Sequence, residues 1–182
     1  MKTRTARYKN EHHAQGFLTW IFAGLIGLAL VLAVLFLWFS PVHVQDVSME
    51  PTLQKGDTVF YDRLYRHFHE YRRGDMVAFR DPESGKLLIK RVIALGGETV
   101  EAKGGVLIID GQFGMDEHRY AASKVPDFQR IEVPEGTVFV LSDDRGYGDD
   151  SRNPAIGCLA PKDILGLVRI RARDFTIFTA DP

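Results

Sequence analysis

Ser48 stands in Asp46-Val47-Ser48-Met49-Glu50-Pro51-Thr52-Leu53. Pro51 and the later Gly56-Asp57 mark a turn that leads into a strand. A serine in such a turn is either a turn or capping hydroxyl or a nucleophile, and a nucleophilic hydroxyl needs a base to take its proton. A base of the right kind occurs at Lys90, in Leu87-Leu88-Ile89-Lys90-Arg91-Val92-Ile93-Ala94. Side chains alternate on a strand, so Leu88, Lys90 and Val92 share one face and Leu87, Ile89, Arg91 and Ile93 the other. One of the two adjacent cations is therefore expected to point inward among apolar neighbours. Lys90 has a bland reading, a lysine snorkelling at a sheet edge. Its chemical reading rests on desolvation, which disfavours the ammonium and leaves an amine able to act as general base on a hydroxyl.

A third segment, Ser142-Asp143-Asp144-Arg145-Gly146-Tyr147-Gly148-Asp149-Asp150-Ser151-Arg152-Asn153-Pro154, is dense in acids. Several carboxylates could hold Ca²⁺, but the spacing is not that of an EF-hand and lacks its closing Glu. A carboxylate–arginine network is the expected use, with Asp150 and Arg152 as the natural pair; no metal or cofactor is expected. A Ser-His-Asp triad could be drawn from Ser48, His67 or His69 and an Asp, yet nothing in the local sequence supports it. The six histidines, His12, His13, His43, His67, His69 and His118, are expected at the surface.

The elements that must position these residues are β-rich. Of 182 residues, 45% are hydrophobic and 26% charged, which is globular composition. The net charge of −1 argues against a nucleic-acid partner recognised through an overall basic field. The single cysteine, Cys158, rules out an internal disulfide framework. Strands are predicted over 58–61, 75–79, 87–94, 106–109, 137–141 and 166–171, separated by turn signals such as QKGD, RRGD, KGG and PEG. The runs 76–79 and 138–141 are apolar throughout, as for strands buried on both faces. Val106–Gly111 reads as a strand entering a tight turn. Only 61–71 has helix-like periodicity. At and just before its start, Phe60, Tyr61, Leu64 and Tyr65 would pack in the core or face lipid or substrate.

Ahead of this domain, Phe17 to Phe39 carries no charge and is nearly all apolar, with Trp20 and Trp38 near its ends. About 20 such residues span a bilayer. Lys2, Arg4, Arg7 and Lys9 precede it, which by the positive-inside bias places the N-terminus in the cytoplasm and the chain after Ser40 outside. The run is too long for the core of a cleaved signal peptide, and SPVHVQDV offers no convincing small-x-small site. The expected organisation is a cytoplasmic basic tail (1–16), a single transmembrane anchor (17–39) in the cell membrane, and an extracytoplasmic domain (40–182).

In order and context, these segments resemble type I signal peptidases, the membrane-bound serine proteases that remove signal peptides from exported proteins. Ser48-Met49-Glu50-Pro51-Thr52-Leu53 is similar to the family's S-M-x-P-T-L box. Gly56-Asp57-Thr58-Val59 and Arg73-Gly74-Asp75-Met76-Val77 resemble its following strand boxes, and Lys90–Gly97 its lysine box. Asp150-Ser151-Arg152 matches the D-S-R of its last box, and Gly157-Cys158-Leu159-Ala160-Pro161 resembles the segment after it.

The resemblance implies Ser48 as nucleophile and Lys90 as general base, with the Ser48 backbone N–H in the oxyanion hole and Asp150 and Arg152 holding the active-site loop. It implies a mainly β fold: a single transmembrane helix, then an antiparallel β catalytic domain with a small inserted β subdomain at about 98–135. The partners it implies are signal-peptide-bearing preproteins and the lipid bilayer. The same Ser/Lys chemistry could serve a dedicated processing peptidase of a conjugation or surface-fibre system, and a third reading is an inactive, tethered scaffold. Two positions depart from the family pattern. Asp46 replaces the Ser or Gly found two residues before the nucleophile, and it is expected to point away, since a carboxylate would repel an oxyanion. Gly148 stands where a Ser helps orient the lysine; Ser142 is nearby at a different offset and is not assigned that role.

Overall fold

The structure is a computed structural model that describes residues 3–113 and 123–179. His118 and the centre of the expected 98–135 insertion lie outside the described residues, as do the side chains of the basic tail, of His12 and His13, and of His67. The chain divides into two units, 1–38 and 39–182.

The first unit is the helix α1 (Thr3–Trp38). Every side chain described between Thr19 and Val34 is exposed, whichever way it points around the helix. Among the described residues, no helix is long and apolar enough to cross a membrane.

The second unit contains β1 (Phe39–His43), β2 (Thr58–Asp62), the one-turn helix α2 (Tyr65–Phe68), β3 (Met76–Arg80), β4 (Leu87–Leu95), β5 (Thr99–Lys103), β6 (Val106–Ile109), β7 (Gln112–Phe113), β8 (Phe128–Glu132), β9 (Val138–Leu141), β10 (Ile164–Arg171) and β11 (Thr176–Ile177). One sheet has the order β1-β2-β10-β3-β4-β9, with β11 beside β10; the other has the order β7-β6-β5-β8, and all the pairings are antiparallel. All six predicted strands are present, and the helix-like stretch contracts to α2. The apolar runs on β3 and β9 are buried at every position but Arg80. The predicted turn after β6 is a two-residue hairpin, Ile109 facing Gln112, with Asp110 and Gly111 at φ 50° and 75°. Positive φ at both central residues matches the twist of the flanking strands, and Asp-Gly tolerates it. β1, β5, β7, β8 and β11 were not predicted.

Long β4 lies between β3 and the edge strand β9, pairing with β3 through 87–91 and with β9 through 91–95. One face of this sheet packs Val77, Phe79, Leu88, Val92 and Val140 with Tyr65 and Tyr71, which settles Tyr65 as a core residue. The other face packs Met76, Ala78 and Ile89 with Val44, Met49, Leu53 and Val59. A third cluster joins Ile93, Phe139 and Leu141 to Val100, Leu107 and Ile109 of the small sheet.

Gly166 marks the closest crossing. A Cβ there would lie 2.3 Å from the Asp62 carbonyl oxygen and 2.7 Å from the Tyr61 ring. Backbone cannot yield as a flexible side chain can, so Gly166→Ala is expected to cost about 3 kcal/mol. Urea denaturation reads this as a lowered midpoint; an unchanged midpoint would show that β2 and β10 can part without loss.

Candidate active site

The turn that carries Ser48 is built by burial on either side of it. Met49 and Leu53 are buried in the core, and the Leu53 N–H donates to the Met49 carbonyl at 2.8 Å. Asp57 accepts from the Gln54 N–H at 3.0 Å, and the Gly56 N–H donates to the Val44 carbonyl at 2.8 Å, closing the loop at its base. Held from below, Ser48 is itself buried, with 2% of its surface exposed.

Lys90 reaches Ser48 from the middle of β4, where it faces Val77 across the β3 pairing. No part of Lys90 is exposed, and its Nζ lies 2.7 Å from Ser48 Oγ. The edge-strand reading is thereby overturned: β4 is interior, and the amine is enclosed. Burial pushes the Lys90 pKa below its ordinary value, against the opposing pull of Asp46, Asp150 and Asp149. Desolvation destabilises an ammonium more than those carboxylates restore it.

The expectation that one of the two adjacent cations points inward is too modest, because both are buried. Arg91 faces the other side of β4 and meets Asp143 through two bonds, Nε to Oδ1 at 2.7 Å and Nη2 to Oδ2 at 2.6 Å. Arg91 also donates to the Gly74 carbonyl at 2.7 Å and to Thr52 Oγ1 at 3.2 Å, and Thr52 Oγ1 donates to Asp143 Oδ2 at 2.6 Å. The Asp144 N–H donates to the Ser48 carbonyl at 2.9 Å. Together these bonds tie the serine turn, the lysine strand and the acidic loop. The sequence reading missed them; its one available signal was a second cation beside Lys90 with no acid nearby in the chain.

Asp150 and Arg152 pair as expected. Arg152 donates Nε to Oδ1 at 2.8 Å and Nη2 to Oδ2 at 2.6 Å, and it also reaches the carbonyls of Arg145 and Tyr147. Asp150 Oδ2 accepts from the Ser142 N–H at 3.1 Å. Ser142 Oγ is buried with no hydrogen-bond partner among the described residues, whereas Gly148 is exposed. His69 is exposed and stacks on Tyr65, and His43 shares a hydrogen bond with Thr58, so neither is part of a triad with Ser48. Among the described residues, no group of three His, Cys, Asp or Glu could hold a metal ion.

Asp46 overturns its expectation. It points at the nucleophile rather than away: Oδ1 accepts from the Ser48 N–H at 3.0 Å and from Ser48 Oγ–H at 2.6 Å. The cause is local. An aspartate readily accepts from the N–H two residues on, and without an oxyanion present nothing opposes that turn.

The family model described as signal peptidase, peptidase S26, matches residues 17–172. The chain is 33% identical over 168 residues to signal peptidase I P of Bacillus subtilis subsp. natto, covering 87% of this chain and 90% of that one. It is 36% identical over 152 residues to the probable signal peptidase I-1 of Synechocystis sp., covering 78% and 76%. A crystal structure of a signal peptidase I from Enterococcus faecalis matches with TM-score 0.43 and 32% identity, over 54% of this chain and 96% of that one. The chain belongs to the signal peptidase family, peptidase S26, and its activity is that of a signal peptidase I, a serine peptidase.

Proposed function

We propose that Ser48 is the nucleophile and Lys90 the general base, cutting membrane-inserted preproteins after their signal peptides at the outer face of the membrane. The observation that carries this is the 2.7 Å contact between Lys90 Nζ and Ser48 Oγ within a buried site. Burial lowers the pKa of this lysine, so its neutral amine is available at lower pH than an ordinary lysine's, in reach of the one hydroxyl it must deprotonate.

Lys90 takes the Ser48 proton as Oγ bonds to the scissile carbonyl carbon. The Ser48 N–H stabilises the oxyanion that forms. As the C–N bond breaks, the Lys90 ammonium gives its proton to the leaving amine. Water, deprotonated by Lys90, then attacks the ester and frees Ser48. Asp150 and Arg152 hold the loop against the lysine strand.

Residues 17–39 act as the single-pass anchor, with the basic tail in the cytoplasm. Their support is the uncharged apolar run, the tryptophans near its ends and the cations before it. Confinement to one surface raises the effective concentration of enzyme and substrate.

The test uses the full chain in detergent with a preprotein carrying an A-x-A site. Mass spectrometry of the products is expected to show one cut directly after the second Ala. Cleavage at other bonds, or none by protein with a cooperative melt, would overturn the substrate assignment.

A further inference from the structure

Three observations at Asp46 act in one direction. The Ser48 hydroxyl has a single hydrogen, and it is donated to Asp46 Oδ1 at 2.6 Å, while Lys90 Nζ donates to Ser48 Oγ from 2.7 Å. The proton that Lys90 must take therefore points at Asp46. The Ser48 N–H, which has to meet the developing oxyanion at about 2.7–3.1 Å, is already bound to the same carboxylate oxygen at 3.0 Å. The Asp46 charge also works against the burial that lowers the Lys90 pKa. One carboxylate thus holds the nucleophile's proton, occupies the oxyanion donor and favours the protonated base.

We infer that Asp46 is a latch: a positioning residue that holds the free enzyme in an unreactive arrangement until the substrate's scissile carbonyl displaces it from the Ser48 N–H. This rests on the Ser48/Lys90 reading. The displacement balances simply. The N–H exchanges a carboxylate acceptor for the substrate carbonyl, and the hydroxyl rotates its hydrogen toward Lys90. Asp46 is only half-buried, so its carboxylate can move to water without being stranded in the core.

The charged groups that act on Lys90 are Asp46 from the serine turn and Asp149, Asp150 and Arg152 from the loop after β9. On its own strand, Arg91 faces the other way and is paired with Asp143, and across the β3 pairing stands apolar Val77. Removing Asp46 leaves the others in place, so the acid limb of the activity profile should move to lower pH.

The experiment compares full-length Asp46→Gly, Asp46→Ser and Asp46→Asn with the native enzyme in detergent, on the same preprotein. Asp46→Gly and Asp46→Ser are expected to raise kcat/KM at neutral pH by about 10-fold, a part of the roughly 10²–10³ that one oxyanion donor commands because the substrate already displaces the carboxylate, and to shift the acid limb downward. Asp46→Asn removes the charge but keeps an acceptor for the N–H, so it should shift the limb and gain less rate. Equal or lower kcat/KM with an unmoved acid limb would overturn the latch and leave Asp46 as a brace of the turn. Should the variants fold poorly, the native enzyme decides: in a crystal structure with a peptide aldehyde on Ser48, the adduct oxygen should hold the Ser48 N–H. Asp46 still bound there would overturn the inference. Turnover surviving in Ser48→Ala or Lys90→Ala defeats the dyad instead, so the two failures are distinguishable.

Discussion

Ser48→Ala and Lys90→Ala each lower turnover by about 10⁴-fold or more, because nucleophile and base act as a unit and removing either removes the acyl-enzyme route. Lys90→Arg is the sharper variant. It keeps the positive charge near Asp46 and Asp150 but stays protonated at any working pH. If Lys90 served only as a charge, Arg would restore much of the rate; as a base, Arg restores none. The pH dependence has a defined sign. Burial lowers the Lys90 pKa, so the neutral amine is available at lower pH than for an ordinary lysine. Activity is therefore lost as pH falls through that lowered value and recovered as pH rises through it. Steady-state kinetics on the cleaved preprotein, with circular dichroism to confirm folding, measure all three variants. Full activity in Lys90→Arg would remove the base assignment.

Asp143→Ala should unfold the catalytic unit more easily than any other single change discussed. Asp143 is buried opposite Arg91, whose side chain is 4% exposed. Removing the carboxylate leaves a guanidinium charge in the interior without its counter-ion, an effect of about 3–5 kcal/mol. The loss would not stay local, because Asp143 also accepts from Thr52 in the serine turn, while the neighbouring Asp144 N–H holds the Ser48 carbonyl. Stability and turnover should fall together, with KM changing less than kcat. Replacing both partners, Arg91→Met with Asp143→Leu, should recover much of the stability but not the rate, since the apolar pair no longer holds Thr52. Urea denaturation of the two single variants and the double variant forms the necessary cycle. Strict additivity in that cycle would mean that the pair is not the source of the effect.

The strands rich in β-branched residues were legible because their signal is local. Val, Ile and Phe runs over 76–79, 87–94 and 138–141 need burial on both faces, and turn residues close their ends. Phe128-Gln129-Arg130-Ile131-Glu132 was not legible. It is a sheet edge with no fully buried residue, so its strand character comes from pairing with β5 rather than from its own sequence. Phe39 to His43 was hidden for another reason: the apolar run that precedes it continues into its first residue.

Residue types and their order along the chain determined the chemistry open to this protein: a serine in a turn, a lysine amid apolar neighbours, and the Asp150–Arg152 pair only two residues apart. Tertiary structure alone decided which of these meet. Ser48 and Lys90 are separated by 42 positions, and Arg91 and Asp143 by 52. Their contacts exist because β4 lies between β3 and β9 in one particular register, and a slip of one residue would exchange the faces of Lys90 and Arg91. The direction of Asp46 was likewise beyond the sequence. Two opposed demands meet on one carboxylate, the turn that draws it to the Ser48 N–H and the oxyanion that would expel it, and in the free enzyme only the first is present.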